Sequence, residues 1–329
     1  MKVASLFSGC GGLDLGFKNA KFEIVYANEF DQTIWDTYHF NHCELANVSH
    51  GLFLDKRDIR NVGVREIPDC DGIIGGPPCQ SWSAAGLRLG ADDPRGKLFW
   101  EYVRILKAKQ PLFFLAENVE GILSKRHKAS LSEILQLFTN AGYNVTYACL
   151  NCSEYGVPQD RKRVFFIGYR QDLGKTFDFR LIRPQPWVNL RDAIADLQYA
   201  EVCYPAVNES IPNHEYVEAS YSSQFMSRQR VRNWNNSSFT ILASARHIPL
   251  HPQANPMLQS TRDVWLLDPA TPAPYRRLTV RECARIQTFP DNFIFKYTNI
   301  VNGYKMVGNA VPPKMAQLIA DVVMEDLVG

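Results

Sequence analysis

The sequence predicts an α/β fold, a mostly parallel sheet with a smaller domain inserted late in the chain. Three observations carry this. From residue 1 to about 170, short apolar runs alternate with helical patterns, as crossovers between parallel strands require. After Arg183 proline accumulates at Pro184, Pro186, Pro205 and Pro212, and the periodicity fades. A last stretch, Pro313 to Leu327, has the proline start and apolar spacing of a helix that packs back on the sheet. The large domain is therefore expected to be discontinuous: 1–182 and 304–329, with 183–303 inserted between them.

The elements follow in order. Val3 to Leu6 reads as a buried strand, Phe7-Ser8-Gly9-Cys10-Gly11-Gly12-Leu13 as a glycine-rich turn, and Leu13 to Ala20 as a helix. That succession lets backbone approach a nucleotide-like ligand at the carboxyl end of a first strand. The spacing is not Gly-x-Gly-x-x-Gly, which argues against a dinucleotide. The next strand, Phe22 to Ala27, ends in Asn28-Glu29, and an acid there can hold the two hydroxyls of a ribose. Adenosine is the implied group. A helix is expected over Asp31 to His42.

The apolar run Asp71 to Gly76 leads into Pro77-Pro78-Cys79-Gln80. Two prolines remove two backbone donors and stiffen the loop, so the thiol is positioned by rigid backbone and can serve as a nucleophile. Helices are expected over Lys97 to Lys109 and Ser130 to Asn140. Between them, Phe113 to Val119 forms a strand that delivers Glu117 to the sheet end, where such folds gather ligands. Gln159-Asp160-Arg161-Lys162-Arg163 precedes the strand Val164 to Gly168, and alternation points Arg161 and Arg163 to one face. No helical period returns until Leu278 to Thr288.

The chain has 329 residues, 46% of them apolar, enough for a substantial core in about two domains. A net charge of +2 excludes a general polybasic binder. Yet Met226 to Arg285 holds nine arginines, no lysine and three acids. Guanidinium forks suit guanine edges and phosphates. The eight cysteines form no compact disulfide framework, and the Cys149–Cys152 pair lacks a second ligand pair, so no metal is expected. Free thiols, with no apolar leader or bilayer-length run, favour the cytoplasm.

Phe7 to Gly12, Asn28-Glu29, Asp58-Ile59, Gly76 to Gln80, Glu117-Asn118-Val119, Gln159 to Arg163, Arg276 to Phe293 and Gly308-Asn309-Ala310-Val311-Pro312 occur in one order over nearly the whole chain. This set resembles the C5-cytosine DNA methyltransferases, most closely the bacterial restriction-modification members. The resemblance implies a Rossmann-like S-adenosylmethionine-dependent methyltransferase sheet with a smaller inserted target-recognition domain. S-Adenosylmethionine would bind at Phe7, Gly9, Gly11, Gly12, Leu13, Asn28, Glu29, Asp58, Ile59, Gly76, Pro77, Leu98, Asn309, Ala310 and Val311, and leave as S-adenosylhomocysteine. Cys79 would attack carbon 6 of a cytosine flipped out of the duplex, with Glu117 at its N3 edge and Arg163, with Arg161 beside it, on the carbonyl or a flanking phosphate.

The loop Ser81 to Gly96, with Arg88 and Arg95, has the glycine and arginine content of a lid that touches phosphate. Met226 to Trp234, Phe239-Thr240 and Leu250 to Ala254 resemble the branch that modifies GGCC, whereas Ile241 to Pro249 departs from it. Arg228, Arg230, Arg232 and Arg246 are the expected DNA contacts. Double-stranded DNA is the expected partner and a restriction endonuclease the functional one; a bacterial, nucleoid-associated monomer is expected. An RNA methyltransferase on the same domain and a cofactor-binding module without catalysis are the alternatives. The long arginine-rich insertion argues against the first, and the presence of both Cys79 and Glu117 against the second.

Overall fold

The computed structural model describes residues 1–44, 52–78, 96–197 and 211–329. Among these, seven strands form one sheet: β1 (Lys2–Leu6), β2 (Glu23–Asn28), β3 (Phe53–Asp55), β4 (Gly72–Gly75), β5 (Phe113–Val119), β6 (Tyr143–Asn151) and β7 (Lys162–Arg170). Their order across the sheet is β3-β2-β1-β4-β5-β7-β6. The pairs from β3 through β5 are parallel, and β7 is antiparallel to both β5 and β6.

Strands buried on both faces need cover on both, and the neighbours Phe113 and Phe114 show how it is shared. Phe113 stacks on Phe17 of α1 (Gly12–Asn19), in one apolar cluster with Met315, Ile319 and Val323 of α8 (Pro313–Val328). Phe114 faces the other way, onto Tyr102 of α3 (Gly96–Lys109) and Phe138 of α4 (Lys128–Asn140), in a cluster that includes Phe99. The closing helix thus lies on the first sheet, as its apolar spacing predicts.

The inserted region does not stand apart. A third apolar cluster joins Cys10 and Ile34 to Leu190 and Ile194 of α5 (Leu190–Ile194), Val280 and Ile286 of α6 (Val280–Ile286), and Tyr304 and Val307 of α7 (Ile300–Asn309). The expected border between 303 and 304 falls inside α7. A smaller cluster of Phe225, Val231, Leu250 and Met257 lies near the hairpin of β8 (Leu258–Thr261) and β9 (Val264–Leu266).

The helix expected over Asp31 to His42 is shorter, α2 (Trp35–His39), followed by a wide turn over Phe40–Glu44. Asp31 Oδ1 accepts from the backbone N and the hydroxyl of Thr33, a local turn that delays the helix. Strands β3 and β6 have no clear signal in the sequence. β3 has only three residues, and the edge strand β6 mixes polar and apolar side chains without a clean alternation.

Candidate active site

A cavity of about 740 Å³ opens at the carboxyl ends of β1, β4 and β5. Of the expected cofactor residues, Phe7, Gly9, Gly12, Leu13, Glu29, Gly76, Pro77, Asn309, Ala310 and Val311 line it; Glu117 and Arg163 line its other end. The turn after β1 is wound tightly: Phe7, Gly9 and Gly11 all have positive φ, and Phe7 holds 55° with a full side chain. Such strain persists where the surroundings enforce it, and Glu29 ties the turn down two residues on, at Gly9. Its Oε2 accepts from Gly9 N at 2.9 Å and its Oε1 from Asp31 N at 2.8 Å. Burial raises its pKa above the usual carboxylate value.

Gly11 and Gly12 are required for different reasons. A Cβ on Gly11 would stand 2.1 Å from His42 Nε2, and one on Gly12 would stand 2.4 Å from the Val311 carbonyl. The returning segment therefore lies flush on the glycine turn. Behind the turn, Lys18 Nζ faces His42 Nδ1 at 3.3 Å, and His42 Nε2 lies 3.2 Å from the Cys10 carbonyl. Nδ1 accepts and Nε2–H donates, so the ring is neutral; burial pulls its pKa down to about 3.

Ile59 and Leu98 do not line the cavity; Ile59 and Val62 belong to the apolar cluster against which both Phe7 and Leu98 pack. Two expected contacts are engaged elsewhere. Asn28 is buried and donates through Nδ2 to the carbonyls of Asp55 and Arg57, tying β2 to the end of β3. Asp58 caps the short turn Ile59–Asn61 and forks onto Arg60, which lowers its pKa. Sequence places Asn28 at the end of its strand and cannot show which partners either side chain takes.

At the opposite end, β5 and β7 pair with Val119 opposite Arg163, which puts Arg163 on the same face as Glu117. Arg163 Nε lies 2.9 Å from Glu117 Oε1, with the side chains 13% and 12% exposed. The other oxygen, Oε2, sits 3.4 Å from the position a Cβ would take on Gly76. Asn118, to which the sequence assigns no role, acquires one here. Its Nδ2 donates to the Pro77 carbonyl at 3.2 Å and its Oδ1 accepts from Val119 N, pinning the proline turn to β5. Cys79, which follows that turn, lies outside the described residues, as do Ser81, Arg88 and Arg95.

The cavity thus joins the glycine turn and Glu29 to a carboxylate–guanidinium pair. The profile of the C-5 cytosine-specific DNA methylases matches residues 1–325. The chain belongs to that family.

The methylase is 52% identical to the type II methyltransferase M.MthTI of Methanothermobacter thermautotrophicus, over 100% of this chain and 98% of the relative. It is 50% identical to M.FnuDI of Fusobacterium nucleatum, over 99% and 95%. Among solved structures, the Entamoeba histolytica methyltransferase EhMeth has the same fold, with a TM-score of 0.73 and 15% identity over 99% and 98% of the two chains. Membership in the family implies use of S-adenosylmethionine and a DNA substrate.

The arginines of the methylase divide by burial. Arg161, expected beside Arg163 at the base, is wholly buried instead. It precedes β7 and turns inward, where Nη1 donates to the Ile241 carbonyl at 3.1 Å and Nη2 to those of Gly308 and Ala310 at 3.0 and 2.8 Å. Burial, then the neighbouring Arg163 charge, pulls its pKa down to about 9. Gln159 and Gln287 complete this brace: Gln159 Nε2 donates to Gln287 Oε1, and Gln287 Nε2 donates to the Val307 carbonyl.

Arg230 is likewise a correction. It is buried, with Nε donating to the Phe225 carbonyl at 2.7 Å and Nη2 to that of Gln224 at 3.2 Å. Arg276, Arg277 and Arg281 are also buried, Arg276 in a fork with Glu282. Arg228 and Arg246 are exposed. Arg232 is partly exposed, stacked over Phe239 and paired with Asp160 at 3.1 Å. Part of the arginine richness between Met226 and Arg285 therefore serves packing.

Among the described residues, no group of three His, Cys, Asp or Glu is placed to hold a metal ion, and no helix is long and apolar enough to cross a membrane.

Proposed function

We propose that this methylase transfers a methyl group from S-adenosylmethionine to carbon 5 of a cytosine flipped out of duplex DNA, as the protective enzyme of a type II restriction-modification system. The observation that carries the reading is that the Glu117–Arg163 pair and the Phe7–Glu29 turn share one cavity, bridged by Gly76 and Pro77. Phe7, on the same apolar cluster as Ile59 and Leu98, offers a flat surface suited to adenine, and Glu29 is held where its remaining lone pairs can take ribose hydroxyls. When bound there, S-adenosylmethionine supplies an electrophilic methyl group.

The residues of the chain prepare the base. Carbon 5 of cytosine is a poor nucleophile until the thiolate of Cys79 adds to carbon 6. Glu117 meets N3 and the exocyclic amine, and shares a proton as charge builds on the ring. Arg163 orients Glu117 through Oε1 and bears on the base carbonyl or its phosphate. After transfer, loss of the carbon 5 proton expels Cys79. Arg161 acts at one remove, holding Gly308 and Ala310 where they close the cofactor end.

Residues 1–182 and 304–329 form the catalytic domain in this reading, with α7 as the joint to the recognition domain 183–303. Arg228, Arg232 and Arg246 read or grip a short GC-rich site, GGCC by resemblance of the flanking segments. The enzyme works as a cytoplasmic monomer alongside a cognate endonuclease. Duplex DNA carrying 5-fluorocytosine at the target tests the covalent route, because fluorine cannot leave as a proton. A complex that survives denaturation is expected; recovery of free protein alone would overturn it.

A further inference from the structure

We propose that the turn joining β5 to α4 forms a phosphate-binding wall of the cavity, gripping the backbone of the DNA strand that carries the target cytosine. The proposal rests on the DNA reading above and adds a site to it. Ser124, Arg126 and His127 line the cavity with Glu117 and Arg163. Ser124 Oγ and His127 Nδ1 are buried, and neither has a hydrogen-bond partner among the described residues. A buried polar atom without a partner costs free energy comparable to a lost hydrogen bond. Two of them on one turn, at the wall of a cavity, mark a place for a polar ligand group.

Charge identifies the group. Lys125, Arg126 and Lys128 are all exposed, and none of them is paired with a carboxylate among the described residues. The nearby acid Glu120 is occupied by Lys162 at 3.3 Å. These cations sit at the amino end of α4, where the helix field favours anions and disfavours positive charge. The first turn of α4 holds no acid, and its cap residue His127 accepts no capping hydrogen bond. A basic cluster there works against the helix unless an anion lies over it. Cations, a hydroxyl, an imidazole and a helix start without a side-chain cap together suit a phosphodiester. A nucleotide turned towards Glu117 brings its own phosphates to this rim. The carboxylate of a bound cofactor has related chemistry, so the test separates the two sources.

The intact enzyme and a Lys125→Gln/Arg126→Gln/Lys128→Gln variant are titrated with duplex DNA from about 50 to 200 mM salt, and separately with S-adenosylhomocysteine. The slope of log Kd against log salt should fall by roughly 0.9 for each phosphate no longer neutralised, about two to three in all, while S-adenosylhomocysteine affinity stays unchanged. Arg126→Lys should retain the slope, and Ser124→Ala should weaken DNA binding severalfold. An unaltered slope and DNA affinity would overturn the proposal. So would a loss confined to S-adenosylhomocysteine, which would assign the wall to the cofactor. Wild-type enzyme that methylates no duplex would overturn the functional reading itself, whereas a methylating wild type with an unaltered variant slope removes only this wall.

Discussion

Arg161 and Gly308, 147 residues apart in the chain, are joined by a 3.0 Å hydrogen bond from Nη2 to a backbone carbonyl. With the bonds to Ile241 and Ala310, one buried guanidinium ties the end of the catalytic sheet to the inserted region and to the returning segment. Arg163, two residues on, faces the cavity and Glu117. The two should separate cleanly. Arg161→Met removes a donor from three carbonyls, of which that of Ala310 keeps Gln287 Nε2 at 3.3 Å, and should cost roughly 3 kcal/mol of stability in urea unfolding. Arg163→Met should keep most of the stability while methyl transfer falls.

Glu117→Gln keeps the shape of the side chain and removes its charge and its exchangeable proton. Transfer should drop by about 10²- to 10⁴-fold, the usual contribution of a positioned acid or base, with S-adenosylhomocysteine affinity nearly unchanged. Single-turnover kinetics with saturating DNA, beside calorimetric titration, would check both halves.

Gly12→Ala places a methyl group 2.4 Å from the Val311 carbonyl, and backbone on both sides leaves it little room to yield. Overpacking of this kind costs about 1–3 kcal/mol. The returning segment must lift from the turn, so S-adenosylhomocysteine affinity should fall by roughly tenfold or more in a calorimetric titration.

Acid should destabilise the enzyme through two buried imidazoles. Burial pulls His42 from 6.5 down to about 3 and His251 down to about 4, so both stay neutral in the fold. The unfolded chain takes up these protons as pH falls below 6.5. Stability is therefore full above that value and is lost on acidification towards about 3 to 4, with each ring contributing about 1.4 kcal/mol per pH unit. His42→Asn should flatten the dependence between pH 6 and 5 by close to one proton, measured as unfolding free energy against pH.

Much of this site is legible in the sequence because its logic is local. The glycine turn, Glu29 after β2 and Glu117 at the end of β5 are announced by apolar runs followed by a break, and the fold sets those breaks along one edge. Arginine is harder to read. Arg161 and Arg163 share a motif, yet the first lies just before β7 and finds carbonyls from Ile241 and Gly308, partners that no local pattern reveals. Arg230 resembles Arg228 and Arg232 for the same reason, although its guanidinium is taken by Phe225 and Gln224. Asn28 and Asp58 stand where a ligand contact is expected, but their nearest acceptors and donors are the protein's own. Charge in a sequence shows what a residue can do; packing decides for whom.

Methyl transfer to one ring carbon by way of a covalent Cys79 adduct is the step on which the proposed reaction depends. The most direct measurement is to incubate duplex DNA with methyl-labelled S-adenosylmethionine and the wild-type or Cys79→Ser enzyme, then map 5-methylcytosine by bisulfite sequencing. Label at carbon 5 of one cytosine within a fixed short site is expected for the wild type, and none for the variant although it still binds DNA. Label on another atom, no label on any duplex, or undiminished transfer by Cys79→Ser would contradict the proposed reaction.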